Sequence, residues 1–191
     1  MLESYAQLAG WLSFSLVSLS EILYVRAIFR GTTRPSRSTF WVWTLVQALS
    51  AASYFASGGG AAALLPLSYA IWFFVIAVLS VRYGDHAWTR LDTGVLVGAF
   101  VSAGAWWASG SSELGLIFLM LTDFAGAIPT ILKSRHCPEH EDRTAWILTL
   151  VANLVDLPAV GARTVLNLVY PLYLFAVNST IVYFLVQPRK S

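Results

Sequence analysis

The sequence predicts an all-α membrane protein with seven transmembrane helices, on the evidence of its composition and the spacing of its polar breaks. Of the 191 residues, 57% are hydrophobic and 12% are charged, and the mean hydropathy is +0.66. Soluble domains are more polar than this. Apolar stretches of about 20 residues, the length that crosses a bilayer, alternate with short breaks that carry charge or glycine. These breaks are too short to form a soluble catalytic domain.

Each predicted helix is an apolar stretch between two such breaks. The predicted helices cover residues 5–29, 38–57, 61–82, 91–110, 113–133, 144–162 and 164–186. We expect the first helix to be retained, because no basic residue precedes it and no small-residue cleavage site follows it. The single cysteine, Cys137, excludes an internal disulfide, and a net charge of +2 does not indicate a nucleic-acid partner.

The basic residues gather on one side of the predicted membrane. They follow alternate helices, namely Arg30, Arg34, Arg37, Arg82, Arg90, Lys133, Arg135, Arg143, Arg189 and Lys190. The opposite side carries only Arg163. The positive-inside rule therefore predicts an N-terminus outside the cell and a C-terminus in the cytoplasm. Trp41, Trp43 and Trp146 stand at the cytoplasmic starts of two helices, where we expect them to anchor the bundle at the membrane interface.

An internal repeat relates the first three helices to the last three. A shift of about 102 residues aligns Glu21 with Asp123, Pro35 with Pro138, Trp43 with Trp146 and Tyr69 with Tyr170. Since three helices reverse the direction of the chain, one linker helix must separate two parallel repeats. The predicted units are residues 1–86, the linker 87–112, and residues 113–191. Parallel repeats of this kind build secondary transporters whose solute site lies near mid-membrane.

The motif around the fifth helix resembles that of a known family. Pro129-Thr130-Ile131 followed by Lys133-Ser134 is similar to the proline, apolar residue and Lys-Ser of a PQ-loop repeat, with Thr130 at the glutamine position. The segments "RPSRSTFWVW" and "DFAGAIPTILKSRHCPEHE" resemble bacterial seven-helix proteins. The chain thus looks like a member of the SWEET and PQ-loop superfamily. The resemblance implies a three-plus-one-plus-three bundle in a bacterial plasma (inner) membrane, and a sugar facilitator, a proton-coupled amino-acid exporter or a peptide-signal receptor.

Two carboxyl groups are the candidates for proton- or cation-linked chemistry. Glu21 stands nine residues before Arg30, and Asp123 stands ten before Lys133. At 1.5 Å per residue both lie roughly 13–15 Å from the cytoplasmic boundary, close to the bilayer midplane. Because a carboxylate facing lipid is costly, both should face the bundle interior, where they could reach one central cavity. Alternatively, they are neutral acids that only hydrogen-bond neighbouring helices.

Polar and aromatic residues at similar depth are the candidates for solute binding. Asn153 and Asp156 share one face of the sixth helix, and Gln47 and Ser50 form a matching stripe on the second. The repeat pairs two aromatic residues at mid-depth as platforms, and the resemblance implies that an asparagine of the seventh helix holds the solute. The full set is Asn153, Asn178, Trp72, Tyr173, Gln47, Ser50 and Asp156. Ordinary core packing is the alternative for the aromatic pair.

Other motifs are less specific. Pro129 should kink the fifth helix and is a candidate hinge or gate. His136 and His140 are spaced as helical metal ligands, but Pro138 disfavours a helix between them, so a solvated polar loop without metal is expected. No phosphate-binding loop, dinucleotide motif or serine-nucleophile motif is present, so we expect neither an enzyme nor a cofactor.

Taken together, these patterns predict a secondary transporter that moves a small polar solute, such as a sugar or an amino acid, by alternating access, with or without proton coupling. The alternative is a receptor or sensor on the same fold that binds a ligand without transporting it. The expected partners are a small polar solute and the lipid bilayer, with no nucleic acid. A homo-oligomer is compatible with the sequence.

Overall fold

The structure, a computed structural model, describes residues 2–56, 60–84, 90–109, 112–159 and 165–187. This part of the chain is all-α, as predicted. Its helices are α1 (Leu2–Phe29), α2 (Arg37–Ala56), α3 (Leu64–Tyr83), α4 (Arg90–Ser109), α5 (Ser112–His136), α6 (Arg143–Asp156) and α7 (Val165–Val186). Short 3-10 helices at Pro138–His140 and Leu157–Ala159 flank α6.

Four of these helices are long and apolar enough to cross a membrane, which is the composition of a membrane protein. They are the odd-numbered helices, with apolar segments Ser4–Phe29, Leu64–Tyr83, Ile117–His136 and Leu168–Val186. Within the described residues, the even-numbered helices α2, α4 and α6 do not combine this length with this hydropathy. In α4 the apolar segment is the shorter Asp92–Val101, and α6 has 14 residues, a length of about 21 Å. Residues 160–162 of the predicted sixth span lie outside the described residues.

Six helices pack side by side in a closed ring. Around the ring the order is α1, α3, α2, α5, α7 and α6, and α6 packs against α1 again. The remaining helix, α4, lies outside the ring against α5 and α2. The ring therefore has an interior onto which one face of each of its helices can turn polar side chains.

Aromatic rings fill part of this interior. Trp43 lies 5.8 Å from Phe40, 5.3 Å from Phe73 and 6.1 Å from Trp146, measured between ring centroids. Trp43 and Trp146 are buried, so the prediction that they anchor the bundle at the membrane interface is wrong. A buried indole needs an acceptor for its N–H group, and both find one inside the bundle. Trp41 is 37% exposed.

The loops at one end of the ring are tied together. Helix α1 ends at Phe29, and Gly31, two residues beyond it, has a φ of +73°, the left-handed conformation that glycine adopts without strain after a helix end. Helix α6 begins after Asp142, whose side chain accepts a hydrogen bond from the Ala145 backbone N–H at 2.8 Å. Between the two loops, the Arg34 N–H donates to the His140 carbonyl at 3.1 Å.

Candidate functional site

Small cavities lie inside the ring, and three of them, in the described part of the chain, are each lined by one carboxyl group. The Glu21 cavity is lined by Ser20, Glu21, Tyr24, Phe40, Phe73, Ala145, Trp146 and Thr149. The Asp123 cavity is lined by Trp43, Gln47, Tyr69, Phe73, Asp123, Thr149, Leu174, Val177 and Asn178. The Asp156 cavity is lined by Gln47, Tyr54, Ala62, Leu65, Pro66, Asn153, Asp156, Tyr170, Pro171 and Leu174.

The cavities form a row because neighbours share walls. Phe73 and Thr149 line both the Glu21 and the Asp123 cavities, while Gln47 and Leu174 line both the Asp123 and the Asp156 cavities. Glu21 and Asp123 thus occupy adjoining cavities rather than one. The space for the centre of a water molecule is about 20 Å³ in the Asp123 and Asp156 cavities and about 10 Å³ in the Glu21 cavity. That is room for about one water each.

Asp123 is the best-defined of the three acids. Its Oδ2 accepts a hydrogen bond from the Tyr173 hydroxyl of α7 at 2.8 Å. Its Oδ1 is buried and has no hydrogen-bond partner among the described residues. Its backbone carbonyl accepts from the Trp43 indole N–H of α2 at 3.1 Å. Asp123 therefore joins α2, α5 and α7 and keeps one carboxyl oxygen unpartnered beside a cavity.

Two buried amides behave similarly. Gln47 Nε2 donates to the Tyr170 hydroxyl at 3.1 Å, which leaves Gln47 Oε1 without a partner in the described part of the chain. The Tyr69 hydroxyl donates to Asn153 Oδ1 at 3.0 Å, which leaves Asn153 Nδ2 unpartnered within the same ranges. A buried polar group without a partner is expensive unless a water or a ligand satisfies it. The interior therefore has both a hydrogen-bond acceptor, Gln47 Oε1, and a donor, Asn153 Nδ2, for a polar ligand.

The other two acids lie on the contact between α1 and α6. Asp156 Oδ1 accepts a hydrogen bond from the Ser13 hydroxyl at 2.8 Å. Glu21 is buried one residue after Ser20, whose hydroxyl donates to the Ala145 carbonyl at 2.6 Å and lies 2.8 Å from the Thr149 hydroxyl. Hydrogen bonds between α1 and α6 thus hold Asp156 and Glu21 where each lines a cavity of the row.

The remaining predicted site residues divide into four groups. Asn178 is buried and lines the Asp123 cavity. Ser50 is buried but donates to the Val46 carbonyl of its own helix at 2.9 Å. Tyr173 and Trp72 are half-buried and line none of these three cavities, although Tyr173 reaches the site through its hydrogen bond to Asp123. Pro129 lies inside α5, which continues through it to His136.

One functional candidate was missed by the sequence analysis. Glu141 lies in the loop that was expected to be solvated, yet it is buried. Its Oε2 accepts hydrogen bonds from the Tyr24 hydroxyl at 2.8 Å and the Trp146 indole at 2.9 Å, and its Oε1 lies 2.6 Å from Lys133 Nζ. Lys133 also donates to the Arg34 carbonyl. We call Glu141, Lys133, Tyr24 and Trp146 the Glu141 cluster.

No sequence signal separates Glu141 from the other acids of its loop. Glu139 and Asp142 lie within two residues of it, and only the packing of α1 against α6 decides which acid is buried. Within the described residues, no group of three or more His, Cys, Asp or Glu side chains is close enough to hold a metal ion. Thr130, at the position of the PQ-loop glutamine, is buried and donates to the Thr39 hydroxyl at 3.2 Å.

Comparisons with known proteins do not assign this chain to a family. No protein-family model matches it, and neither a curated protein nor a solved structure shows significant similarity. Its own residues therefore carry the functional argument.

Proposed function

We propose that this chain is a secondary transporter of the SWEET and PQ-loop type, which moves a small polar solute through the centre of the helix ring by alternating access. In this proposal all seven helices cross the membrane, as two parallel three-helix repeats joined by α4. The observation that carries the proposal is the row of cavities inside the ring, each lined by a carboxyl group, at the boundary between the two repeats.

The order of the helices around the ring supports the two-repeat architecture. Exchanging α1 with α5, α2 with α6 and α3 with α7 leaves every neighbour relation in the ring unchanged. The packing of α1 on α6, for example, becomes the packing of α5 on α2. Moreover, α2 and α6, the less apolar members, occupy equivalent positions in their repeats and carry the polar stripes. A helix that faces a polar interior needs fewer apolar residues than one surrounded by lipid.

The cavity walls support a polar solute as the cargo. Asp123, Gln47 and Asn153 come from three different helices, and each has a polar atom without a partner among the residues that the structure describes. Asn178 adds a fourth polar side chain from α7. Such a set can hydrogen-bond hydroxyl, carbonyl or amino groups from several directions. Glu21 and Asp123 are the proton- or cation-linked groups in this proposal, since each lines one of the adjoining cavities.

The cavities are too small for a sugar or an amino acid, so this conformation corresponds to a closed state of the transporter. Opening toward the cytoplasm would have to separate the Glu141 cluster, which ties α1, α5 and α6 together beside the basic loops. Pro129 lies one helical turn before Lys133 in α5. Because proline removes a backbone hydrogen bond, α5 can bend there more readily than elsewhere.

Binding and transport are tested with the purified full-length protein. Thermal unfolding is measured with sugars, amino acids, amines and vitamins, since a ligand that binds the native state raises its apparent stability. A ligand found in this way is then tested for counterflow in proteoliposomes, with Glu21→Gln, Asp123→Asn and the control Glu139→Gln. We expect saturable counterflow that is lost in the two interior variants and retained in the control. Stoichiometric binding without counterflow would favour the receptor alternative.

Labelling of the single cysteine, Cys137, tests the proposed orientation of the protein in the membrane. Cys137 is partly exposed in the loop between α5 and α6, which the proposal places in the cytoplasm. A membrane-impermeant maleimide should therefore label the protein in inside-out vesicles but not in intact cells, with Cys137→Ala as the control. Labelling in intact cells would reverse the proposed orientation.

A further inference from the structure

Polar groups pair at successive depths where α1 meets α6 and the loop before it, in the same order as the cavities. The pairs are Ser13 with Asp156, Ser20 with Thr149, and Tyr24 with Glu141 of the loop. From Trp146 to Asp156, α6 advances about 15 Å, roughly half the hydrocarbon thickness of a bilayer. The row therefore runs along the bundle axis and not across it.

A carboxyl group lies at each end of the row of cavities, Asp156 at one and Glu141 at the other. At one end, Asp156 stands at the last residue of α6. At the other, the Glu21 cavity is lined by Tyr24 and Trp146, which both hydrogen-bond to Glu141 in the loop. Glu141 is also close enough to Glu21 for their charges to interact. The order of acids along the row is thus Asp156, Asp123, Glu21 and Glu141.

We propose that this row of carboxyl groups and single-water cavities relays protons through the closed bundle, as an activity that does not require the transported solute. Each step breaks one O–H bond and forms another. A protonated carboxyl group gives its proton to the water in its cavity, and that water passes a proton to the next carboxylate. The donor is left as a carboxylate and accepts the following proton, so neither electrons nor a co-reactant are needed.

The dimensions of the row limit what can move along it. A cavity that holds about one water cannot admit a sugar or an amino acid, whereas a proton needs only hydrogen-bonded oxygens at each step. The unpartnered Oδ1 of Asp123 and Oε1 of Gln47 are such oxygens at the central cavity. The relay is therefore a property of the closed conformation, and solute transport requires the open one.

The groups that face these acids come from α1, α2, α3, α7 and the loop before α6. Asp123 accepts a hydrogen bond from Tyr173 of α7 and shares its cavity with Tyr69 of α3. Asp156 accepts one from Ser13 of α1 and shares its cavity with Tyr54 of α2, and the charge of Glu21 interacts with that of Glu141. In the described part of the chain, Lys133 is the one basic side chain in an ion pair with any of these acids, and its partner is Glu141. A permanent ion pair would hold the Glu141 carboxylate in its charged form, so Glu141 ends the row and the protons pass between the three interior acids.

Proton flux into sealed vesicles tests the relay. Full-length protein is reconstituted into liposomes that contain a trapped pH indicator, and a potassium gradient with valinomycin drives protons without any solute present. We expect acidification faster than in protein-free vesicles. Asp123→Asn should reduce the flux to the protein-free level, since an amide cannot exchange the proton in this way, and Asp123→Glu should restore part of it. Glu139→Gln, in the exposed part of the loop, should match the unmodified protein.

The outcomes separate the relay from the proposed transport function. Vesicles as tight as protein-free ones would overturn the relay, as would full flux through a folded Asp123→Asn protein. If Asp123→Asn fails to fold, Glu21→Gln and Asp156→Asn provide the same test at the neighbouring cavities, and undiminished flux through both would overturn the relay. Counterflow is measured without a pH gradient, so its failure alongside an intact proton flux would count against the transport function alone.

Discussion

Tyr24 in α1 and Gly126 in α5 occupy equivalent positions in the proposed repeats, yet they produce different contacts with the tryptophan of the opposite repeat. At Gly126 an added Cβ would lie 3.0 Å from Val42 Cγ1 and 3.3 Å from Trp43 Nε1, so the glycine admits the Trp43 indole to the backbone of α5. There it donates to the Asp123 carbonyl at 3.1 Å. Tyr24 instead packs edge-on against Trp146, with centroids 6.3 Å apart, and both side chains donate to Glu141.

The contact between α1 and α6 and the contact between α2 and α5 are equivalent in the proposed repeats, yet they differ in the interactions that form them. The contact of α1 with α6 and the loop before it carries side-chain hydrogen bonds at three depths, from Ser13, Ser20 and Tyr24. The contact between α2 and α5 depends more on close approach at Gly126. In lipid, interhelical hydrogen bonds each contribute about 0.6–2 kcal/mol, and small residues allow tight packing instead. We therefore expect the two interfaces to respond differently to mutation.

The largest effect is expected at Glu141. Glu141→Ala removes the carboxylate that pairs with Lys133 and the buried acceptor of the Tyr24 and Trp146 hydrogen bonds, which should lower the free energy of unfolding by about 3–5 kcal/mol. Thermal or denaturant unfolding in detergent measures this. Glu141→Gln should cost less, because its amide oxygen can still accept from Tyr24 and Trp146, and Glu139→Gln is the control from the same loop. Equal stability of Glu141→Ala and the control would contradict the role assigned to the Glu141 cluster.

A smaller loss is expected when the close approach of α2 to α5 is blocked. Gly126→Val places methyl groups where Val42 and Trp43 now lie, and overpacking of this kind costs about 1–3 kcal/mol. Gly98→Val in α4 is the matched control, because a Cβ there meets nothing within 4 Å. Comparing the two unfolding midpoints checks the prediction, which fails if both variants shift equally.

The two tryptophans provide a direct comparison of the interfaces. Trp146→Phe removes a hydrogen bond to a carboxylate, worth about 1.5–3 kcal/mol, whereas Trp43→Phe removes one to a backbone carbonyl, worth about 0.5–1.5 kcal/mol. Unfolding free energies of the two variants should therefore differ, with Trp146→Phe the less stable. The reverse order would show that ring packing, and not the acceptor, decides the contribution of each indole.

The smallest effect is expected from single hydroxyl groups. Ser20→Ala removes the hydrogen bonds to Ala145 and Thr149, at a cost of about 1 kcal/mol, and Thr130→Val removes the single 3.2 Å bond to Thr39, at a cost below that. Unfolding measurements on both variants and on the double variant test whether the two interfaces contribute independently. Non-additive losses would indicate that the interfaces are coupled.

Composition and spacing were sufficient to predict an all-α chain with long apolar helices and to give a useful list of polar candidates. Seven apolar stretches predicted seven helices, and the described part of the chain contains seven α-helices, of which four are long and apolar enough to cross a membrane. Burial of Glu21, Asp123 and Asn153 followed from the cost of exposing such groups to lipid. The tryptophans were misplaced because the sequence shows an indole near a helix start but not the acceptor that holds it inside. Trp72, similarly, could not be distinguished from a packing residue.

What the sequence determined by itself is the helical, apolar character of the chain, because hydropathy over 20 residues depends on composition and not on neighbours. Only the tertiary structure decided that the three carboxyl groups line three adjoining cavities, that Glu141 is buried against Lys133, and that Gly126 receives Trp43. These features depend on which face of each helix meets which neighbour. In a bundle this small, the same residue types serve packing and polar cavities, so their role is fixed by helix rotation and register.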